Sequence, residues 1–540
     1  QIANTQTSSR GFLLEQASIN NLARIEVTKL PTPEMSANVL GGSVNFVSKS
    51  AFEHSRESLT FNAFLSANSN TITFDQTPGP GADSTYKIRP NFDLTYIKPI
   101  SKTLGFVATL QQSSQSYLQN KSVPTRRYTS GGATLTNPQT TAMASSYNPN
   151  QIDRTSGSIK VDWKPFDHQV LSFTADASAN RQQNASRTLT YNVGGGTPVA
   201  WDEHNTFGSV GATGTGTANE GNSYQNRNGL LRHVAGSWNY TGNDWLFELA
   251  GSYSNSNNRV RDTAKGFWNG LSTSLPNVKT VNIEGIDNSS ASFGKATVLD
   301  ATGKPIDELK AASHNLGKVT SQPADNQDTM KEVRGSVPWN LMLLGNTFAV
   351  KAGGSINDMI RDQHYSLVET TYVGPDGIAN SGDETAAPFA DAKDPNHTPG
   401  FGRPGPQWID PYLVYQAYQQ HPTWFFRAPS NFGDTVKNYA VRSPWLHETI
   451  KAGYVMADAK FFSNRLRMVG GVRYELTIDE GRGYKQDGNA IYQQDASGHP
   501  IKGSNGAYLL LPSLAGTVSG SGEQNSLIYQ YRASYNSRDY

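Results

Sequence analysis

The chain has 540 residues, of which 36% are hydrophobic and 17% charged, and its formal net charge is +1. A charge this close to zero gives no reason to expect nucleic acid as a partner. The absence of cysteine excludes thiolate catalysis, Cys-ligated zinc and a disulfide framework. No run of about 18 apolar residues is present, so a transmembrane helix is excluded. The 24 Tyr, 22 Phe and 9 Trp argue against disorder.

The most informative stretch is RIEVTKLPTPEMSANVLGGSVNFVSKSAF, residues 24–52. Short runs of β-branched and aromatic residues, 25–27 and 44–47, lie on either side of Gly41-Gly42. Such runs are typical of strands, and paired glycines allow the backbone a positive φ in the turn between them. The pattern therefore predicts a small β-loop-β unit.

This stretch resembles the end of the plug domain of TonB-dependent outer-membrane receptors, on the residues Arg24, Glu26, Lys29, Gly41, Gly42 and Asn45. In that family the plug fills a large barrel whose first strand follows directly. The resemblance implies that residues 1–55 are the C-terminal part of a plug domain and that residues 56–540 are part of an outer-membrane β-barrel. RLRMVGGVRYE at 465–475 and YLLLPS at 508–513 also resemble barrel strands of these receptors.

From Glu57 onward apolar and polar residues alternate with period two, as in Leu59, Phe61, Ala63 and Leu65. We predict an all-β, antiparallel transmembrane barrel, because only every second strand residue then faces lipid. The thirteen expected strands are at or near 57–66, 91–96, 104–111, 159–163, 171–176, 228–240, 245–256, 330–340, 347–360, 447–461, 465–478, 509–520 and 526–537. The same alternation turns the mid-strand charges Lys160, Asp162 and Glu248 toward a polar lumen.

Short and long links alternate between these strands, which is the arrangement of outer-membrane barrels with long loops outside the cell. The long links are expected at 67–89, 116–153, 181–226, 257–328, 362–446 and 479–507. Thirteen is an odd number, and bacterial barrels have even counts, about 22 in plugged transporters. We therefore expect an incomplete barrel, with roughly nine strands missing after Tyr540 and no ladder between 57–66 and 526–537.

The loop 362–446 carries a cluster of aromatic residues, which we predict to contact a ligand: Trp408, Tyr412, Tyr415, Tyr418, Trp424 and Phe425. Aromatic rings offer large contact areas at little conformational cost. The alternative is that they form a small core within the loop itself, since loops this long need internal packing. Asp376, Asn380 and Asp383 have a spacing that partly matches a calcium loop, and the competing interpretation is an ordinary turn.

The family resemblance implies uptake of a scarce ligand, an iron chelate, cobalamin or saccharide, driven by the periplasmic protein TonB. We expect no enzyme activity and no cofactor, because no HExxH, GxSxG or P-loop motif is present. Two other classes stay open. A passive porin or adhesin would share the strands and loops but would not need the unit at 24–49. A secreted carbohydrate-binding protein would need a core that is independent of lipid.

Overall fold

The computed structural model describes residues 21–39, 41–69, 72–81, 84–194, 200–208, 216–287, 292, 294–343, 346–394, 397–427, 435, 438–462, 465–484, 492–504, 506, 508–512 and 533–539. Strands dominate these residues. The longest α-helix, α1, has ten residues, Pro411–Gln420, and no helix of the described part is long and apolar enough to cross a membrane. Short 3-10 turns occur at Ala37–Val39, Ala51–Glu53, Thr263–Lys265, Ala311–Ser313, Ala387–Phe389 and Pro422–Trp424.

The first half of the chain contains the strands β1 (Leu22–Thr28), β2 (Ser43–Ser48), β3 (Ser58–Ser66), β4 (Gln76–Pro78), β5 (Ser84–Tyr86), β6 (Arg89–Pro99), β7 (Leu104–Leu118), β8 (Lys121–Arg127), β9 (Gln139–Tyr147), β10 (Pro149–Trp163), β11 (Gln169–Asn192), β12 (Ala200–Trp201), β13 (Thr206–Phe207) and β14 (Thr217–Thr241). The second half contains β15 (Leu246–Arg261), β16 (Gly270–Ser274), β17 (Thr280–Glu284), β18 (Lys295–Leu299), β19 (Asn315–Ser321), β20 (Ala324–Leu343), β21 (Asn346–Tyr365), β22 (Val368–Tyr372), β23 (Phe425–Phe426), β24 (Trp445–Phe461), β25 (Leu466–Tyr484) and β26 (Ala533–Asp539).

A wall of antiparallel strands forms most of the structure. Its strands pair edge to edge in chain order: β3, β6, β7, β10, β11, β14, β15, β20, β21, β24, β25 and β26. The predicted antiparallel all-β class is confirmed. Short links join the wall strands at one end, for example residues 100–103, 164–168 and 242–245, and long segments join them at the other.

The two faces of the wall differ as the alternation predicted. Large apolar side chains are exposed on the outer face, such as Ile159, Leu249 and Val472, the last with 76% of its surface exposed. A charged residue next to each of them in the sequence points inward: Lys160, Glu248 and Arg473. Asp162 is almost fully buried and lies 3.9 Å from the Lys160 ammonium. An outer apolar face and a polar inner face are typical of outer-membrane barrels.

Several wall strands extend beyond the predicted boundaries. β11 continues to Asn192 and β14 begins at Thr217, within the region expected to be a loop at 181–226. We call the end of the wall with the short links its lower end. In its lower half β11 pairs with β10, and in its upper half with β9. In its lower half β14 pairs with β15, and in its upper half with β16. β16 then pairs with β19, and β19 with β22. The long segments thus add a second tier of sheet to the wall.

Two predictions concern the end of the chain. The prediction of a strand at 509–520 is wrong for residues 509–512, the part that the structure describes. Leu510 forms only an isolated bridge with Tyr492, and residues 511–512 belong to no strand. The rest of that strand lies outside the described residues, as does the start of the strand expected at 526–537. Described registers give β3 and β26 one paired neighbour each, β6 and β25. The expected incompleteness of the barrel stays a prediction.

Candidate functional site

Residues 21–53 form what we call the inner unit, and its core is the hairpin of β1 and β2. Gly42 closes this hairpin with φ of 115°, and a Cβ there would lie 2.8 Å from the Thr28 carbonyl oxygen. Gly41 has open space around it. The predicted need for glycine in this turn therefore applies to Gly42, where both the backbone conformation and the close approach require it.

The polar residues of the resemblance lie together on the hairpin. The Glu26 carboxylate accepts hydrogen bonds from Arg24 Nε at 2.8 Å and from Asn45 Nδ2 at 3.1 Å. These two bonds, with Arg24 the larger cause, lower the pKa of Glu26. Lys29 follows the strand and is exposed. The network links β1 to β2, so these side chains act in holding the hairpin.

One end of the inner unit contacts the wall through charges. Lys351 Nζ on β21 lies 2.9 Å from Glu34 of the inner unit and 3.0 Å from Glu248 on β15. The Glu34 carbonyl oxygen accepts from Arg473 at 3.3 Å, and the Ala37 amide donates to Glu475 at 3.3 Å. These wall residues point inward on β15, β21 and β25.

The other end of the inner unit contacts a different part of the wall. Ser50 Oγ donates to Asp162 Oδ2 on β10 at 2.7 Å. Ala51 is fully buried against Ile97 and Val107, on β6 and β7. Because one short unit touches β6, β7 and β10 at one end and β15, β21 and β25 at the other, the wall curves around it. Its attachment to the inner face combines hydrogen bonds, ion pairs and one small apolar contact.

The long segments between wall strands pack into a second assembly, the loop cap, whose described residues lie within 67–88, 119–148, 193–216, 262–323 and 366–444. Two apolar clusters hold it together. One joins β9, β11, β17 and β18 around Trp408, and the other joins β16, β19, β22 and α1 around Phe389 and Phe425. The cap therefore has a core of its own.

The predicted aromatic cluster divides between this core and the surface. Trp408 is fully buried and its indole Nε1 donates to the His397 carbonyl oxygen at 2.8 Å. Phe425 is buried too, whereas Tyr412, Tyr415 and Trp424 are partly buried. Tyr418 is 37% exposed. The position of Trp408 matches the alternative in which the rings pack the loop, and a ligand could not reach it without opening the cap.

A buried ionic cluster fastens the cap to the top of the wall. The Arg187 guanidinium on β11 pairs with Asp391, lies 3.6 Å from Asp394, and donates to the Tyr224 hydroxyl at 2.8 Å. The cavity beside it, also lined by Asp410 and Tyr412, has a volume of about 10 Å³. That is room for a single water molecule. The cluster thus stabilises the contact between the cap and the wall, and the cavity beside it is too small to be a preformed ligand pocket.

Two other titratable groups are buried in this tier. Glu220 Oε1, near the top of β14, accepts from the Ile409 amide at 2.8 Å and from Asn222 at 3.3 Å, and burial raises the pKa of Glu220 to about 7. The Lys87 ammonium donates to the carbonyl oxygens of Thr77 and Pro78 at 3.0 and 2.8 Å, and burial lowers the pKa of Lys87 to about 8. Sequence patterns did not single out either group.

The partial calcium motif forms a turn fastened by its own carboxylates. Asp383 accepts from the Asp376 amide at 3.0 Å and from the Ser381 hydroxyl at 2.9 Å, and Asp376 accepts from the Ile378 amide at 2.8 Å. Asn380 adopts a left-handed φ of 61°. Within the described residues, no group of three or more His, Asp or Glu side chains could hold a metal ion.

Comparison with known proteins adds little. No protein-family model matches the chain, and no curated protein matches it. Among solved structures, the chain is similar to a mutant of the ferric enterobactin receptor of Pseudomonas aeruginosa. The match has 7% sequence identity and a TM-score of 0.21, and covers 91% of this chain and 83% of that one. A TM-score this low carries no argument about function.

Proposed function

We propose that this protein is an uptake receptor of the bacterial outer membrane, in which the wall crosses the bilayer and the inner unit blocks its lumen. The apolar outer face and polar inner face of the wall support this proposal, because lipid-exposed strands require that division. The outer face also argues against a secreted carbohydrate-binding protein, for which so many exposed apolar side chains would favour aggregation. Membrane fractionation separates these two classes, since a secreted protein would stay in the soluble fraction.

The observation that carries the proposal is the attachment of the inner unit to the inside of the wall. A passive porin conducts through an open, water-filled lumen, so a unit tethered across the lumen works against that function. Polar tethers such as Glu34 with Lys351, and Ser50 with Asp162, can exchange for water when the unit moves. The inner unit is thus suited to be a removable obstruction.

Movement of the obstruction requires energy, and the resemblance of the inner unit to receptor plugs suggests TonB as the source. No bond of the ligand is broken in such a cycle. The ligand classes considered are an iron chelate, cobalamin and a saccharide. For ligand contact from outside, the partly exposed Tyr418 and Trp424 are better placed candidates than the buried Trp408, and their role stays a prediction.

Uptake by cells that produce the protein tests this function. Cells would be offered radiolabelled ferric chelates, cobalamin and oligosaccharides, one at a time, with and without a protonophore that collapses the energy of the inner membrane. We expect one of these classes to accumulate in energised cells and accumulation to stop with the protonophore. Accumulation that is equal in both conditions would instead indicate a passive channel.

A further inference from the structure

Three glycines form a row on the outer face of the wall. The strand registers pair Gly335 on β20 with Gly354 on β21, and Gly354 with Gly453 on β24. Residues directly opposite one another in antiparallel strands point to the same face, so no side chain covers the wall along this row. Tyr474 on β25 pairs with Gly453 and closes the end of the row.

Apolar side chains border the row and turn it into a groove. On one side, the registers align Val333, Ile356 and Leu476, and on the other they align Val337, Val455 and Val472. The space over the glycine row and its first border, lined by Val333, Ile356 and Leu476, has a volume of about 480 Å³ and is open to the outside. It crosses three strands, so its floor is about 10 Å long at the usual interstrand spacing of ~4.8 Å. A segment of an extended hydrocarbon chain fits along this floor.

One charge lies at the upper border of the groove. Lys451 occupies the same outer rung as Ile356 and Leu476, and its side chain is exposed. It lies ten residues above Phe461, where β24 reaches the short-link end. On a tilted strand this corresponds to a height of about 25 Å, the thickness of the apolar band of such barrels. Lys451 is therefore at the level of the outer headgroups if the wall spans the membrane.

The neighbouring charges leave Lys451 available for a phosphate. On the next outer rung, Asp358 is engaged by His447 Nε2 at 2.5 Å and lies 3.9 Å from the Lys331 ammonium. His447 is also 3.8 Å from Glu480. Asp358 and Glu480, the carboxylates of this rung and the next, thus each have a basic side chain other than Lys451 nearby. Among the described residues no carboxylate pairs with Lys451, and a cation directly above an apolar groove is complementary to a lipid that carries phosphate above its acyl chains.

We propose that this groove binds one acyl chain of an anionic, phosphate-bearing lipid of the outer leaflet, with Lys451 contacting the phosphate. The proposal rests on the membrane location that the proposed function includes. The bound lipid would be a specific ligand at one place on the wall, between β20 and β25, in contrast to the lipids that surround the rest of the outer face. Tyr474 contributes a ring at the end of the groove near the interface, where tyrosine is favoured.

Lipid binding to the purified protein in a mild detergent tests the proposal. Native mass spectrometry would measure retention of dimyristoylphosphatidic acid, with dimyristoylphosphatidylcholine and inorganic phosphate as comparison probes. We expect one tightly retained phosphatidic acid, weaker phosphatidylcholine and no displacement by inorganic phosphate. Lys451→Gln should weaken phosphatidic acid by about fivefold, the effect expected of one lysine at a lipid surface.

Glycine variants test the groove itself. A Cβ at Gly453 would have the Gly353 carbonyl oxygen at 4.0 Å as its nearest neighbour, so both Gly453→Ala and Gly453→Leu can fold, and the larger side chain fills more of the groove. Gly453→Leu should weaken binding by about tenfold, equivalent to losing ~60 Å² of apolar contact, and Gly453→Ala by less. Gly236→Leu, on the same outer face of β14 and also with room for a side chain, is the matched control.

Equal affinity of the wild-type protein, Lys451→Gln and Gly453→Leu would overturn the proposal, as would equal binding of the two lipids. Circular dichroism verifies the fold of each variant before binding is measured. Because this assay needs only the folded wall, its result is independent of the uptake measurement. Lipid retention with no energy-dependent uptake would refute the proposed function alone.

Discussion

Glu220 should make the loop cap less stable as pH rises. Glu220 is only 2% exposed, and its carboxylate accepts from one backbone amide and one side-chain amide, with no cation of the described residues in hydrogen-bonding contact. Burial raises the pKa of this group from 4.5 to about 7. Glu220 also lies about 50 Å above the short-link end of β14, well outside any bilayer, at ~3.4 Å per residue along a tilted strand.

The direction of the pH effect follows from proton binding. Below pH 4.5 the carboxyl is protonated in both states, and its contribution to the free energy of unfolding is fully present. Between pH 4.5 and about 7 the unfolded chain loses the proton while the folded cap retains it, so stability falls. Above pH 7 the loss levels off at about 3 kcal/mol, the free-energy equivalent of the raised pKa.

Glu220→Gln removes this titration and retains a side-chain oxygen for the Ile409 amide. Urea unfolding of the cap would be followed by tryptophan fluorescence at several pH values from 4 to 8. We expect the variant to equal the wild-type protein near pH 4 and to exceed it by up to about 3 kcal/mol at pH 8. Glu203→Gln, at an exposed carboxyl of the same cap, is the control. Parallel pH profiles for the wild-type protein and Glu220→Gln would refute the reasoning.

Three further outcomes are expected. Trp408→Ala should destabilise the cap by about 3–5 kcal/mol, as for other buried aromatic residues, whereas Trp424→Ala, at a partly buried ring, should cost about 1 kcal/mol; equal losses in urea unfolding would contradict the assigned positions. Ile378→Cys, on an exposed cap turn of a cysteine-free chain, should react with an impermeant maleimide on intact cells; reaction only after permeabilisation would reverse the orientation. Lys351→Met should speed hydrogen exchange of the β1–β2 hairpin about fivefold, because a tether of ~1 kcal/mol is lost; unchanged exchange would show that this ion pair does not hold the unit.

The half of the wall nearest the short links could be predicted from sequence because apolar and polar residues alternate strictly along its strands, as the proposed membrane location requires. Leu59, Phe61 and Leu65 alternate with polar residues, and the observed strand β3 differs from the expected one by a single residue. The upper halves of β11 and β14 were missed for the same physical reason. Stretches such as 180–192 are polar at both alternating sets of positions and so have the composition of a loop, which suits strands that project beyond the proposed bilayer.

The site was less predictable because its contacts are long-range. Arg187 and Asp391 are 204 positions apart, and nothing in either local sequence indicates the other. Lys351 could have been found, since the alternation that turned Glu248 inward also applies to β21. The aromatic cluster shows the limit of composition: the same ring types serve as a buried core at Trp408 and as exposed surface at Tyr418.

Tethering the inner unit to the wall tests the central claim most directly. Ser50 Oγ and Asp162 Oδ2 are 2.7 Å apart, so cysteines at both positions can be joined by a short bis-methanethiosulfonate linker, which dithiothreitol cleaves. The ligand is the one that accumulates in the uptake assay described above. Our account predicts that cells with the linked Ser50→Cys, Asp162→Cys protein no longer take up this ligand in an energy-dependent way, and that dithiothreitol restores uptake. The linker should not affect uptake by either single variant. Uptake that continues unchanged with the linker in place would contradict the account, because the inner unit would then not have to move.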